Sequence, residues 1–173
     1  NDLFTAAQKE AKRLGVDDYV LDEISKLKNV EQKNLYPDTF TKGKAIGNGS
    51  CFFDSFRQGL EQQKGINVPV EDLRMDCREF ALSNSEKWFL DTIANSYDNN
   101  HQRRTETVEQ YRENILNNER WGDPDVEGRI LCKKYGVKLH VVERQVVDDQ
   151  EIFLNQLIDK EGSKNVNDID YDD

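Results

Sequence analysis

The chain has 173 residues, 36% of them hydrophobic and 34% charged, and 24 basic against 34 acidic side chains leave a net charge of -10. That balance, with no run of Lys and Arg, argues against a nucleic-acid partner, which needs a basic face to neutralise phosphate; it suits a partner with a basic patch. No apolar run approaches the roughly eighteen residues that span a membrane, so one soluble, cytoplasmic, monomeric domain with its own core is expected.

Leu3, Phe4, Ala7, Ala11 and Leu14 recur at helical spacing, and Gly15 ends the run. Asp17 or Asp18 then caps a second segment with Val20, Leu21, Ile24 and Leu27 on one face. Two short amphipathic helices make a hairpin, so residues 1–34 are expected to form a helical extension that either covers part of the core or touches substrate. The domain proper is expected over residues 35–173. Leu35 to Asp38 reads as a turn, and Phe40 to Ile46 as an approach to the loop that begins at Gly47.

Gly47-Asn48-Gly49-Ser50-Cys51-Phe52-Phe53-Asp54-Ser55 carries the most chemistry. A cysteine follows a loop of small and amide side chains and stands at the start of a helical run that continues through Gln62. At a helix N-terminus the free backbone N–H groups and the dipole favour an anion, either a thiolate or an oxyanion formed beside it. Gly47 and Gly49 are expected to adopt backbone angles closed to other residues, so that N–H groups converge. Asn48, Gly49, Ser50 and Cys51 would then form an oxyanion hole, with Phe52 and Phe53 anchoring the helix in the core. A buried structural cysteine after a turn is the alternative. The other cysteines, Cys77 and Cys132, lie far from Cys51 in sequence and lack Cys-x-x-Cys metal spacing. All three read as reduced thiols, with no metal site.

Gly65 to Pro69 reads as a loop, and a helix from Val70 comes next, running through Leu73, Cys77, Phe80 and Leu82, with Cys77 as core. Ser83 and Glu86 have the spacing of a capping pair for a helix carrying Trp88, Phe89 and Ile93. Asn95 to Arg104 is polar and aperiodic, which predicts a loop. Thr105 to Asn117 is predicted helical with Val108, Tyr111 and Ile115 buried. Trp121-Gly122-Asp123-Pro124-Asp125 leads tightly into another helix holding Val126, Ile130, Leu131 and Cys132, with Trp121 expected as a core plug. Tyr135-Gly136 stops that helix, and Val137, Leu139 and Val141 alternate as a strand. Val146-Val147 and Ile152 to Leu154 read as short strands or a turn of helix, and Asn165 to Tyr171 as a last strand. Helices ahead of strands predict an α+β or α/β domain with a small sheet sandwiched by helices.

Asn48-Gly49-Ser50-Cys51-Phe52-Phe53 resembles the Asp-Gly-Asn-Cys-Leu-Phe signature of the ovarian-tumour (OTU) cysteine proteases, most of which are deubiquitinases. A second block is similar to that family's Trp-Gly, helix and strand sequence: Tyr111 to Ile115, Trp121-Gly122, Glu127, then Val137 to Val142. Together they cover roughly Ala45 to Val142. The resemblance implies a papain-related fold with a small central sheet between helices. It implies a deubiquitinase with Cys51 as nucleophile, no cofactor, and ubiquitin or polyubiquitin as partner, whose basic C-terminal tail suits an acidic surface. In the family, variable segments between the nucleophile helix and the Trp-Gly block grip ubiquitin, which nominates Asn99, Asn100 and His101 as substrate contacts.

A thiol nucleophile needs an imidazole within hydrogen-bond reach. Only His101 and His140 are present. His140 alternates out of phase with Val137, Leu139 and Val141, which predicts a solvated or sheet-face role. Family members carry the catalytic histidine later, just after a further strand, which Asp168 to Asp173 resembles; the histidine is therefore expected a few residues beyond Asp173. The family's Asp three residues before the cysteine is Asn48 here, which can orient a loop but supplies no charge. Those two departures motivate an alternative, an OTU-like module that binds ubiquitin without cleaving it. A cysteine protease acting on another substrate is a third reading. The abundance of Asn, Lys, Ile and Asp points to an AT-rich genome, hence to a bacterial effector working in a host's cytoplasm.

Overall fold

The computed structural model describes residues 9, 13, 43–83, 86–97 and 102–164. Lys9 and Arg13 are helical; the rest of the predicted hairpin over residues 1–34, and the strand predicted over Asn165 to Tyr171, lie outside the described residues. From Gly43 onward the described residues form five α-helices: α1 (Cys51–Lys64), α2 (Val70–Ser83), α3 (Lys87–Ile93), α4 (Val108–Asn114) and α5 (Arg129–Tyr135). Strands β1 (Ser96–Tyr97) and β2 (Arg103–Arg104) pair between α3 and α4. After α5 come β3 (Leu139–Val147), β4 (Gln150–Asp159) and β5 (Gly162–Lys164), which form a sheet in the order β3-β4-β5. The architecture is mixed α+β.

The chain divides into two compact units. One comprises Thr41–Leu139 with Ile158–Gly162, and the other Asn1–Phe40, His140–Leu157 and Ser163–Asp173. The first unit owns a single core in which Phe53, Leu73, Cys77, Phe89, Tyr111, Ile115, Val126 and Leu131 are fully shielded. Each such large side chain contributes about 1.5–3 kcal/mol of transfer free energy. Phe89 is the centre of an aromatic cluster, meeting Phe80, Trp88 and Tyr111 edge to face or nearly so.

The helices form where the 3.6-residue apolar period lies and end where it breaks. Gly65 and Gly136 follow α1 and α5 at φ 65° and 64°, and their N–H groups bond back to Glu61 and Cys132. A β-carbon would strain that left-handed turn. Thr107 caps α4 through a reciprocal pair of bonds with Gln110. Ahead of α5, Asp123 accepts the Asp125 N–H and starts a short π-helical turn over Pro124–Gly128.

Three expectations are corrected. Ser83 does not cap α3: it ends α2 with its hydroxyl on the Glu79 carbonyl, and Glu86 takes the cap position with its carboxylate on the Trp88 indole N–H. The inner face of α2 runs through Leu73, Arg74, Cys77 and Ala81, with Cys77 in the core as expected. The aperiodic stretch from Asn95 to Arg104 contains the antiparallel pair Ser96 with Arg104 and Tyr97 with Arg103. Finally, the short segments around Val146 and Phe153 belong to one long hairpin, β3 and β4, turned by Asp148 and Asp149 at φ 51° and 59°. Positive φ at both central residues is what a tight hairpin requires, and aspartate tolerates it.

Candidate active site

Cys51 is the first residue of α1, and the loop before it is fastened on two sides. Outside, the buried Asp54 carboxylate on the first turn of α1 accepts the Ile46 N–H at 3.1 Å, while Gln58 donates to the Lys44 carbonyl at 2.7 Å and to Asp54 at 3.1 Å. The approach segment is thereby pinned to the helix it leads into. Burial would push the Asp54 carboxyl up, but bonds from Arg57, the Ile46 N–H and Gln58 outweigh it and hold the group below its ordinary value.

Inside, the fastening is Arg74, on the buried face of α2 and only 1% exposed. Its Nη1 donates to the Ile115 carbonyl at 2.9 Å. Its Nη2 lies 2.9 Å from Ser50 Oγ, 2.9 Å from the Arg120 carbonyl, 3.2 Å from the Gly49 carbonyl and 3.3 Å from the Asn118 carbonyl. The guanidinium plane covers the Phe53 ring at 4.4 Å. Arg74 thus ties the loop before Cys51 to the 115–120 segment. Sequence reasoning missed it, although Arg74, Cys77 and Ala81 share the helical phase of the core, and a charge in that phase is a signal.

The 115–122 segment is itself held by a buried charge cluster. Arg120 bonds Glu106 at 2.8 Å and Glu127 at 2.6 Å, lies 4.8 Å over the Tyr111 ring, and Glu106 also takes the Asn114 amide at 2.8 Å. Burial alone would push the Glu106 carboxyl up; Arg120, Asn114 and Arg104 hold it below its usual value. Glu127 is fully buried and also accepts the Asp123 N–H at 3.2 Å.

Two glycines let this segment touch the loop before Cys51 and the first turn of α1. A β-carbon on Gly49 would fall 2.6 Å from the Asn118 carbonyl oxygen and closer still to the Glu119 backbone. One on Gly122 would fall 2.5 Å from the Phe52 ring. Gly47 and Gly49 are not in the left-handed region, where the described glycines are Gly65, Gly136 and Gly162. The expected torsional freedom at 47 and 49 is therefore corrected: Gly49 is required for close approach, and nothing crowds Gly47. Trp121 is 47% exposed, not a core plug, because the tight packing at this point is made by its neighbour Gly122.

Within the loop, Asn48 Oδ1 accepts the Ser50 N–H at 2.8 Å and the Asn48 carbonyl accepts the Cys51 N–H at 3.2 Å. Asn48 is exposed, whereas Gly49 and Ser50 are buried. Ser50 occupies the N-cap position of α1 but makes no side-chain cap, since its hydroxyl faces Arg74 and donates to the Asn118 carbonyl at 3.3 Å. The first N–H groups of α1 are therefore left uncapped by Ser50. All three cysteines are free. Cys51 alone has solvent access; burial pushes the Cys77 thiol well up and the Cys132 thiol up to about 12. His140, on β3, is half-buried with Nε2 2.9 Å from Asn155 Oδ1. Asn99, Asn100 and His101 lie outside the described residues. Among the described residues no group of acidic, histidine and cysteine side chains could hold a metal ion, and no helix is long and apolar enough to cross a membrane.

No family model and no curated protein matches the chain. Two solved structures do. A crystal structure of an OTU deubiquitinase from Wolbachia pipientis wMel bound to ubiquitin is 63% identical over 79% of this chain and 86% of that one, with a TM-score of 0.72. A crystal structure of an OTU deubiquitinase from the same organism is 57% identical over 81% and 80%, with a TM-score of 0.65. A half-buried, solvent-accessible thiol at a helix N-terminus, set behind a loop of the OTU signature and joined by such identity to two members, leaves one assignment: the chain belongs to the OTU family and is a cysteine-type deubiquitinase.

Proposed function

We propose that Cys51 is the nucleophile of a thiol isopeptidase that cuts after the C-terminal glycine of ubiquitin. The observation that carries this reading is the placement of the one solvent-accessible thiol at the first residue of a fourteen-residue helix whose N-cap serine leaves the terminus uncapped. The Cys51 sulfur adds to the glycine carbonyl and its proton passes to a general base. Collapse of the tetrahedral intermediate expels the lysine amine, which takes that proton, and leaves a thioester that water hydrolyses. N–H groups of the Asn48 to Cys51 loop stabilise the oxyanion. The Ser50 and Cys51 N–H groups must exchange their Asn48 acceptors for it, and a charge-assisted bond is the stronger of the two.

Ubiquitin as substrate is supported by the Wolbachia structure bound to it and by the acidic surface implied by a net charge of -10. Ubiquitin is a eukaryotic modifier and the similar proteins are bacterial, so the enzyme acts in the cytoplasm of a host cell. The test is cleavage of isopeptide-linked di-ubiquitin by the native protein and by Cys51→Ala. Cleavage lost in the variant supports the assignment; cleavage retained by Cys51→Ala removes Cys51 from the reaction.

A further inference from the structure

The loop ahead of Cys51 is bonded from within by a side chain that the established activity does not use. Arg74 has no acidic side chain within ion-pair distance among the described residues; its two Nη groups meet four backbone carbonyls and one hydroxyl, while its buried Nε has no partner among the described residues. Two of those acceptors, the Gly49 carbonyl and Ser50 Oγ, belong to the two residues immediately before the nucleophile. The others belong to Ile115, Asn118 and Arg120, in the segment whose backbone abuts Gly49. Nη2 carries two hydrogens and faces four oxygens; the shorter contacts, both 2.9 Å, go to Ser50 Oγ and Arg120, with Gly49 and Asn118 sharing them at 3.2 and 3.3 Å.

The consequence lies in the peptide plane. In a trans peptide the carbonyl and the following N–H point in opposite directions. With the Gly49 carbonyl held inward on Arg74, the Ser50 N–H is directed outward, to the side where Asn48 Oδ1 receives it at 2.8 Å. Ser50 is also restrained by its own hydroxyl on the same guanidinium, at the expense of capping α1. We propose that Arg74 is a positioning residue of the deubiquitinase, locking the Gly49–Ser50 peptide so that its N–H faces the oxyanion rather than the core. A lysine cannot replace it, because three donors on one nitrogen do not span oxygens from two loops. The proposal rests on Cys51 being the nucleophile.

The test compares Arg74→Met with the parent in the full chain, on a fluorogenic ubiquitin C-terminal amide. A displaced oxyanion donor predicts a fall in kcat of about 100-fold, with KM within about threefold. Alkylation of Cys51 by iodoacetamide forms no oxyanion, so its rate is expected within about twofold of the parent; a general loosening of the fold would change alkylation and KM as well. Parental kcat in folded Arg74→Met overturns the proposal, and so does a fall in kcat matched by equal changes in KM and alkylation. Should Arg74→Met fail to fold, Ser50→Ala removes one anchor and leaves the guanidinium: a kcat about fivefold lower with KM unchanged supports the lock, and parental kcat refutes it. Cys51→Ala in parallel separates the two readings, since its retained activity would overturn the nucleophile assignment rather than the lock.

Discussion

Replacing Gly49 by alanine tests whether the nucleophile loop is held by contact with the 118–119 backbone. The new β-carbon would sit 2.6 Å from the Asn118 carbonyl oxygen and nearer to Glu119, where contacts shorter than 3.4 Å are uncommon. One of the two segments must therefore yield by the difference between 3.4 and 2.6 Å, about 0.8 Å, and somewhat more at Glu119. Neither side gives easily. The first is tied to Arg74 through Gly49 and Ser50, and the second through Asn118 and Arg120. Overpacking of this size costs about 1–3 kcal/mol of stability, and a shift near 1 Å at reacting groups costs on the order of 100-fold in rate. Urea denaturation and steady-state hydrolysis of a fluorogenic ubiquitin amide read the two effects. Gly47→Ala is the control, because its β-carbon meets nothing within 4 Å, and it should stay within about 0.5 kcal/mol of the parent. Gly49→Ala with parental stability and turnover would refute the reasoning.

Other consequences arise from the buried charges and the thiols. Glu127→Ala removes one of the two carboxylates on Arg120 and leaves a buried cation half paired, which should lower stability in urea by about 3–5 kcal/mol. Glu106, with its folded-state carboxyl held below its ordinary value of 4.5, contributes stability that is present above that value and lost as pH falls through the lower folded-state one. The urea midpoint should therefore drop below about pH 4.5 in the parent, and Glu106→Gln should be less stable at pH 7 with a flatter acid limb; an equally steep limb contradicts the linkage. At pH 7.5 iodoacetamide should label the native chain once, at Cys51, because Cys77 and Cys132 are buried with raised thiols. Mass spectrometry showing label on either of those two before unfolding would contradict the burial.

Much of the fold is legible in the sequence. The ends of α1 and α5 come from an apolar period of 3.6 closed by Gly65 and Gly136, both local signals, and the start of α2 at Val70 from the same period. The position of Cys51 at a helix start can be read from a handful of neighbours, and the OTU resemblance carries the chemistry that those neighbours alone leave open. What escapes depends on contacts between distant segments. Arg74 looks in the sequence like one more solvated charge, and only the approach of the 115–120 carbonyls gives it a buried role. Gly49 reads as a need for torsional freedom, whereas its need is set by Glu119, far along the chain. Trp121 is expected inside by its type, but the seat beside Phe52 is filled by Gly122. Ser83 and Glu86 have the capping spacing, yet α2 runs through Ser83 because its hydroxyl finds the Glu79 carbonyl inside the helix.

The central claim is that Cys51 is an activated nucleophile in a site that recognises ubiquitin. Its most direct test is to incubate the native protein with ubiquitin bearing a thiol-reactive group at its C-terminus, beside Cys51→Ala. The account predicts a covalent adduct with the native protein, mapped by peptide mass spectrometry to Cys51, and none with the variant. An adduct on the variant, or no adduct on a native protein that still binds ubiquitin, would contradict it.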